Sequence, residues 1–264
     1  MPENKGFSAT PRAVGPSPRQ RPHETGIAGG FWLYGLHAAR SALANPRRKI
    51  RRALLTERAA AELGPSAKRV AHEIVAPEVI ARALPQGAVH QGAALLCDSL
   101  PALDLEGLIM ALPPGRRVVA VLDQVTDPHN EGAILRSAAA FGVAAVIVQD
   151  RHAPPESGAL AKAASGALDI VPRVAVVNIS RALEELGRLG FWRIALTADG
   201  DAPLREAATE GDVAVVLGAE GSGLRRLVRE RCDVSAFIPL GSAMESLNVS
   251  NAAAIAFYEL TRSS

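Results

Sequence analysis

Short apolar runs alternate with helix-like stretches along the C-terminal part of the chain. Apolar runs of four to six residues bounded by turn residues are typical of buried strands. Strands are predicted at residues 118–122, 145–148, 170–177, 192–197, 213–217 and 234–238. Helices are predicted at residues 131–141, 157–164, 224–231 and 248–260, and from a cap at Asn178 or Ser180 to Gly190. This alternation predicts an α/β fold whose parallel sheet is covered by helices on both faces.

A smaller mixed pattern occupies residues 31–99. It predicts helices at residues 36–43, 57–63, 65–70 and 77–84, and strands at residues 53–56, 74–75 and 93–96. Five prolines in residues 1–28 oppose regular structure, so a disordered tail is predicted there. The turn signal at residues 113–115 marks a boundary. The predicted organisation is therefore a tail at 1–28, a small α/β domain at 29–100, a linker with a helix at 101–116, and a larger domain at 117–264.

Composition excludes several classes of protein. The 264 residues include 29 Lys and Arg against 27 Asp and Glu, a net charge of +2, so overall charge does not indicate a nucleic-acid binder. Cys97 and Cys232 are too few for a disulfide scaffold or a cysteine-ligated zinc site. The longest apolar stretch is about half of what a transmembrane helix needs. No set of metal-ligating residues stands out.

Although the net charge is small, the basic residues are clustered in one part of the chain. Seven basic residues and a single acidic one lie between Gly35 and Arg58. Such a run is either a solvated face or a surface that binds phosphates, and its isolation in a balanced chain favours the phosphate surface. We expect it to include Arg47, Arg48, Lys49 and Arg51.

Three segments combine a strand, a polar loop and a helix start, the place where α/β folds bind ligands. The first, residues 122–136, ends at Arg136 beside apolar helix positions. Asp127 or Asn130 can cap the helix, but a cap does not explain Arg136. An arginine there either forms a structural ion pair or binds a carboxylate or phosphate. His129 has no evident partner and is interpreted as incidental.

The other two segments follow later strands. Residues 215–223 hold three glycines within six positions, which lets main chain approach a ligand closely. Glu220 in this turn argues against a phosphate cradle because it would repel the anion. Residues 237–253 place Ser246, Asn248 and Ser250 at a helix start, where a cap requires only one of them.

Together these segments resemble the three motifs of the SpoU (TrmH-type) RNA ribose 2′-O-methyltransferases of the SPOUT superfamily. Residues 130–138 (NEGAILRSA) are similar to the first motif, residues 217–224 (LGAEGSGL) to the second, and residues 238–240 (IPL) with 246–250 (SLNVS) to the third. Leu240 replaces the more usual methionine. Residues 34–38 (YGLHA) and 90–92 (HQG) resemble the ribosomal-protein-like RNA-binding domain that precedes the catalytic domain in RlmB-type 23S rRNA guanosine methyltransferases.

The resemblance implies a parallel sheet whose C-terminal stretch forms a trefoil knot, and a homodimer with the site near the subunit interface. It also implies S-adenosylmethionine as cofactor, bound on the knot loops. The residues at the corresponding positions are Leu217, Gly218, Ile238, Leu240 and Leu247.

The implied reaction is attack of a ribose 2′-hydroxyl on the cofactor methyl group. By resemblance Arg136 is catalytic, Asn130 and Asn248 position the ribose or Arg136, Ser246 supports them, and Glu220 fixes Arg136 or a loop amide. Because arginine holds its proton above about pH 12, we expect Arg136 to bind the neighbouring phosphate rather than to act as the base.

The expected substrate is a guanosine of 23S rRNA or of a large-subunit precursor, with no metal, no membrane and a cytoplasmic location. One alternative is a transfer RNA methyltransferase of the same family. Another is a non-catalytic RNA-binding or ribosome-assembly protein, which the five intact polar motif residues oppose. A doubly wound class I methyltransferase or NAD enzyme is opposed by the missing glycine fingerprint.

Overall fold

A computed structural model describes residues 30–242 and 246–262 of the chain. The predicted tail at residues 1–28 lies outside the described residues, as do residues 243–245 of the third segment. Within the described part, the chain forms a four-stranded sheet followed by a seven-stranded sheet. No helix of that part is both long and apolar enough to cross a membrane.

The first sheet, with its helices, makes up what we call the front domain, residues 30–98. Its strand order is β1-β4-β2-β3, with β1 and β2 antiparallel to β4 and β3 parallel to β2. The strands are β1 (Gly30–Tyr34), β2 (Ile50–Leu55), β3 (Glu73–Ile74) and β4 (Ala93–Asp98). The helices are α1 (Leu36–Ala44), α2 (Glu57–Leu63) and α3 (Pro77–Ala83), with a 3₁₀ helix at Gly64–Arg69.

Along the chain, helix α4 (Leu105–Ala111) comes after the first sheet and is followed by the second sheet. Its strands are β5 (Val118–Asp123), β6 (Ala145–Gln149), β7 (Arg173–Val176), β8 (Trp192–Leu196), β9 (Ala202–Pro203), β10 (Val213–Gly218) and β11 (Val234–Phe237). The order is β7-β6-β5-β10-β8-β11-β9, and every pairing is parallel. The prediction of a parallel sheet is confirmed.

Helices cover both faces of this sheet. They are α5 (Pro128–Phe141), α6 (Gly158–Ala164), α7 (Ile179–Arg188), α8 (Leu204–Ala207), α9 (Arg226–Arg229) and α10 (Val249–Thr261), with a 3₁₀ turn at Ala167–Asp169. Alternate residues of β5 point to opposite sides, as the two-residue period of a strand requires. Leu122 joins a core with residues of α5, α6 and α10. Val121 joins a second core with residues of α4 and α7.

The first of these cores continues into the front domain. Leu33 of β1 and Leu95 of β4 belong to the same buried cluster as Leu160 of α6. Burial of apolar area is the main favourable contribution to folding, so a shared core joins the two sheets directly. The stretch predicted as a linker also packs, since Leu105 and Ile109 of α4 are buried in the second core.

Capping residues fix several helix ends. Asp127 caps α5 by accepting from the His129 amide, Asn178 caps α7 and Asn248 caps α10. Gly142 ends α5 in the left-handed conformation, with φ of 73°. The cap of α5 is therefore Asp127, which leaves the Asn130 side chain available for other contacts.

The predicted elements differ from the structure at several points. The helix predicted at 224–231 is only α9, because the extended Arg225 donates its main-chain N–H to Asp123 Oδ2 at 3.0 Å. The helix predicted in the linker begins at Leu105, where Asp104 caps it. Strand β1 was not predicted, and neither were β9 and α8, which are two and four residues long.

Candidate active site

The loops that follow β8, β10 and β11 enclose a cavity with the start of α10. Its volume is about 750 Å³, within the range of small-molecule sites. The walls include all five residues to which the family resemblance gives cofactor contacts: Leu217, Gly218, Ile238, Leu240 and Leu247. They come from two motifs that are about 20 residues apart in sequence, and the parallel sheet brings their strand ends to one edge.

Gly218 has no room for a side chain. A Cβ atom there would lie 2.3–2.5 Å from the main chain of Gly223 and Leu224. The turn folds back on itself through a hydrogen bond from the Gly223 amide to the Ala219 carbonyl at 3.0 Å. Gly221 and Gly223 have φ values of 82° and 64°, which favour glycine. The glycines therefore let bare main chain form one wall of the cavity.

A buried carboxylate holds this turn to the sheet. Asp123 ends β5 with no exposed surface and accepts from Arg225 Nε at 2.8 Å. Arg225 also donates to Gln149 Oε1 at 3.0 Å. Sequence reasoning missed Asp123 as a support for the site. The signal available was an aspartate that closes an otherwise apolar strand.

Side chains from all three motifs meet in one hydrogen-bonded group, the motif cluster: Asn130, Glu220 and Asn248. Asn130 Nδ2 donates to Glu220 Oε1 at 3.1 Å, and Asn248 Nδ2 donates to Asn130 Oδ1 at 3.0 Å and to Glu220. Asn248 Oδ1 caps α10 by accepting from the Ser250 amide at 2.9 Å. One side chain is thus both a cap and a member of the motif cluster.

Arg136 does not join the motif cluster within the chain. Six positions after Asn130, it lies about 9 Å further along α5 and about 120° around it. Its side chain is exposed, and no described residue hydrogen-bonds or ion-pairs with it. Glu220 was expected to fix Arg136 or a loop amide; within the single chain its side chain instead accepts from the two asparagines. Ser246 lines the cavity and is exposed.

Two further residues of the first motif have structural roles. Glu131 is fully buried and accepts from Arg173 Nε at 2.5 Å. Burial raises the pKa of the Glu131 carboxyl above its usual value, although the hydrogen bond from Arg173 acts in the opposite direction. Gly132 lets α5 pack on α6, since a Cβ there would lie 2.4 Å from Ala163 Cβ.

The opposite wall of the cavity contains an ion pair that sequence reasoning missed. Asp199 and Arg229 line the cavity, with Arg229 Nη1 2.8 Å from Asp199 Oδ2. The hydrogen bond from Arg229 lowers the pKa of the Asp199 carboxyl below its ordinary value. The sequence signal available for this pair was the position of Asp199 in the loop after β8, because β8 is a direct neighbour of β10.

The predicted phosphate surface divides into distinct groups. Arg48 is buried, with its side chain 0% exposed between Glu156 and Asp169, so its assignment to an RNA-binding face is wrong. Lys49 and Arg51 both pair with Asp98. Arg47 is exposed and donates to the Pro101 carbonyl at 2.9 Å.

Two other arginines of the front domain resemble Arg47. Arg40 donates to the Glu62 carbonyl at 3.2 Å, and Arg69 donates to the Leu43 carbonyl at 3.1 Å. No carboxylate of the described residues pairs with Arg40, Arg47 or Arg69. Because main-chain carbonyls orient these guanidinium groups without neutralising them, the three keep their positive charge available to anions.

Fold and site together define an α/β protein with an enzyme-type cavity at the carboxyl edge of a parallel sheet. The described residues contain no group of three or more His, Cys, Asp or Glu that could hold a metal ion. Residues 117–258, more than half of the chain, match the model of the SpoU rRNA Methylase family. The chain belongs to the SpoU rRNA methylase family.

Curated relatives of the chain carry names that agree with this family. The protein named 23S rRNA (guanosine-2′-O-)-methyltransferase RlmB from Coxiella burnetii is 43% identical over 176 residues, 66% of this chain and 70% of that protein. The protein of the same name from Xylella fastidiosa is 38% identical over 242 residues, 88% of this chain and 96% of that protein. The second match extends across the front domain as well.

A solved structure shares the fold over most of the chain. The SpoU methyltransferase AviRb from Streptomyces viridochromogenes, in complex with the cofactor AdoMet, aligns with a TM-score of 0.72 and 24% identity. The alignment covers 88% of this chain and 89% of that one. The arrangement of a front domain and a parallel-sheet domain is therefore shared with that protein.

Proposed function

We propose that the protein transfers a methyl group from S-adenosylmethionine to the ribose 2′-hydroxyl of a guanosine in 23S rRNA. The observation that carries this proposal is the meeting of Asn130, Glu220 and Asn248 at a cavity built around Gly218. Membership of the SpoU rRNA methylase family and the similarity to proteins named RlmB support the reaction and the substrate.

The cavity suits the cofactor. When bound, S-adenosylmethionine supplies an electrophilic methyl group on a sulfonium. The main chain at Gly218 offers amide and carbonyl groups for an adenine edge, and Leu217, Ile238 and Leu247 offer apolar surface for its faces. The Asp199 carboxylate on the opposite wall suits hydroxyl or ammonium groups. Because the Gly218 main chain is tightly packed, this wall is preorganised.

The motif cluster orients the nucleotide. The hydrogen bonds from the two asparagines hold the Glu220 carboxylate in place, so the remaining lone pairs of the cluster point in fixed directions. Arg136 binds the phosphate next to the target ribose, and this contact orients and polarises the 2′-hydroxyl. The guanidinium stays protonated throughout. The hydroxyl proton is therefore released to solvent as the new oxygen–methyl bond forms and the methyl–sulfur bond breaks, which leaves S-adenosylhomocysteine.

A homodimer completes the site. Arg136 does not reach the motif cluster of its own chain, and a second copy supplies a phosphate-binding arginine to each cluster. Helix α10, which starts at the cluster, also exposes apolar surface: Ile255 is 42% exposed and Tyr258 is 50% exposed. The trefoil knot is part of the same proposal and stays a prediction.

The front domain holds the RNA through phosphate contacts. Arg40, Arg47 and Arg69 carry the charge that no carboxylate of the described residues neutralises. Phosphate contacts fix register and orientation without reading sequence. Selection of the guanosine then depends on RNA shape and on the nucleotide that is presented at the cavity.

The test is transfer of labelled methyl groups to unmodified 23S rRNA and, separately, to bulk tRNA. Alkali-resistant dinucleotides report methylation of the 2′-oxygen. Arg136→Ala is expected to lower the rate about 10²–10³-fold with cofactor binding unchanged, whereas Arg188→Ala, an exposed arginine on α7, serves as the control and keeps wild-type activity.

Other outcomes discriminate between the alternatives. Label in tRNA instead of rRNA would keep the enzyme class and overturn the substrate. Cofactor binding without label in either RNA would point to a precursor particle as the substrate. A chain that binds no cofactor would favour a non-catalytic RNA-binding role. Near-normal methylation by Arg136→Lys would contradict the phosphate-fork role, because lysine cannot form two parallel hydrogen bonds.

A further inference from the structure

A buried ionic group joins the front domain to the rest of the chain. Arg48 of the front domain donates from Nη1 to Glu156 Oε2 at 2.6 Å and from Nε to Asp169 Oδ1 at 2.7 Å. The side chains of Arg48 and Asp169 are 0% exposed, and that of Glu156 is 9% exposed. We call these three residues the interdomain cluster.

Both carboxylates also bind other groups of the N-terminal part. Asn45 Nδ2 donates to Asp169 Oδ1 at 3.0 Å, and the Leu100 amide donates to Glu156 Oε1 at 3.1 Å. Arg48 Nη1 donates to the Asp98 carbonyl at 2.9 Å. Each hydrogen bond has its own direction, so the set together defines a single relative orientation of the two parts.

Close main-chain contact surrounds the interdomain cluster. A Cβ atom at Gly158, the first residue of α6, would lie 2.7 Å from the Trp32 carbonyl oxygen. A Cβ atom at Gly166, whose φ is 98°, would lie 2.5 Å from Ser41 Oγ. Packing at this distance leaves no space for one domain to shift on the other without breaking contacts.

Stability alone does not account for a buried ionic group. Desolvating three charges offsets much of their attraction, and apolar replacements of similar volume are often as stable or more so. Within the described residues, Arg48 Nη2 and Asp169 Oδ2 are buried with no hydrogen-bond partner. What such a group contributes beyond stability is therefore a fixed relative orientation of the parts that it joins.

We propose that Arg48 is a positioning residue that aligns the front domain with the motif cluster. The contacts run from Arg48 to Glu156 and Asp169, which lie on either side of α6. Helix α6 packs on α5 at Gly132, two positions from Asn130. RNA held by the front domain thus presents its ribose at a fixed place. The inference rests on the proposed function for its effect on methylation, but its geometric part does not.

The test neutralises the interdomain cluster without leaving buried charge. In R48M/E156Q/D169N the three side chains keep nearly their volumes and lose their charges. Nitroxide labels on cysteines that replace the exposed Glu78 and Arg188, in a background without Cys97 and Cys232, report the distance between the domains by double electron–electron resonance. The labelled chain is mixed with an excess of unlabelled protein, so that each homodimer holds at most one labelled copy and only distances within a chain are measured. We expect one narrow distribution for the wild-type cluster and one at least twice as broad for the triple variant.

Kinetics provide the second readout. The triple variant is expected to lose at least tenfold in kcat/KM for a 23S rRNA fragment, whereas the Kd values for that RNA and for S-adenosylmethionine stay within twofold. The control R193M/D233N removes an ion pair at the base of β8, away from the front domain, and should match the wild type in both readouts. Arg48→Lys, which keeps the charge and loses the fork, should fall between them and serves if the triple variant fails to fold.

Either of two results would overturn the proposal: a distribution as narrow as that of the wild type, or a broad one with unchanged kcat/KM. If the wild type methylates no RNA, the proposed function fails. The distance distribution then decides the geometric part by itself.

Discussion

The interdomain cluster and the motif cluster are both built from side chains that are distant in sequence, but they differ in burial and charge. The interdomain cluster holds one arginine and two carboxylates away from solvent. The motif cluster holds two neutral amides and one carboxylate where solvent and ligands reach them. A buried cluster fixes the relative position of its residues, but desolvating its charges is unfavourable. An exposed cluster forms with little desolvation, and its bound water can be exchanged for a substrate.

The largest expected effect comes from breaking the interdomain cluster on one side. Asp169→Ala leaves Arg48 buried next to only one carboxylate, which we expect to destabilise the protein by about 3–5 kcal/mol. Urea unfolding measures the loss. A change below about 1 kcal/mol would show that this cluster is no more costly to break than a surface ion pair.

Removing the carboxylate of the motif cluster should have the opposite signature. Glu220→Ala leaves the half-buried Asn130 amide and the exposed Asn248 amide within reach of water, so stability should change by less than about 0.5 kcal/mol. Methyl transfer should fall about 10–100-fold because the asparagines lose their fixed geometry. Rates and unfolding curves of the same preparation check both statements. Equally small effects on the methylation rate and on stability would show that Glu220 is not part of the site.

The same contrast applies to the cations of the front domain. R40Q/R47Q removes two charges that no described carboxylate neutralises, so RNA affinity should fall and the salt slope of binding should decrease by about two. R52Q/R226Q removes two exposed charges that pair with Glu73 and Glu230, and its slope should change less. Binding titrations at several salt concentrations measure both. Equal slopes for the two double variants would contradict the assignment.

The smallest expected effect concerns a site between the two extremes, the pair of buried Glu131 with Arg173. Burial raises the pKa of Glu131, so its protonated form is favoured in the folded state. Its contribution to stability is therefore full below the unfolded pKa and is lost as pH rises through the folded pKa. The stability of the wild type minus that of Glu131→Gln should decrease as pH rises from 4 to 7. A flat difference in denaturation at several pH values would contradict this.

Sequence reasoning succeeded where the signal was local or periodic. The buried strands of the parallel sheet and the end of the helix predicted at 131–141 are each set by a few neighbouring residues. The five residues expected at the cofactor do line one cavity, because parallel topology places consecutive strand ends together.

The role of Arg48 was not accessible from sequence. Within the run of basic residues at 47–52, a buried arginine and an exposed one look alike. The partners that bury Arg48 lie 108 and 121 positions later in the chain. Nothing in composition or periodicity links positions so far apart. Arg136 presents the converse case, because its motif was recognisable from sequence although no described residue pairs with its side chain.

Asn248 has two structural roles, and together they restrict which residues can occupy this position. Its oxygen caps α10, and its Nδ2 group donates to Asn130 and Glu220. Aspartate would keep the cap but bring a second carboxylate against Glu220, and serine would keep the cap but lose the reach and the second donor hydrogen. Glutamine has the same groups on a stem too long for the cap. Each of these replacements therefore loses either the helix cap or the hydrogen bonds that join the first and second motifs to the third.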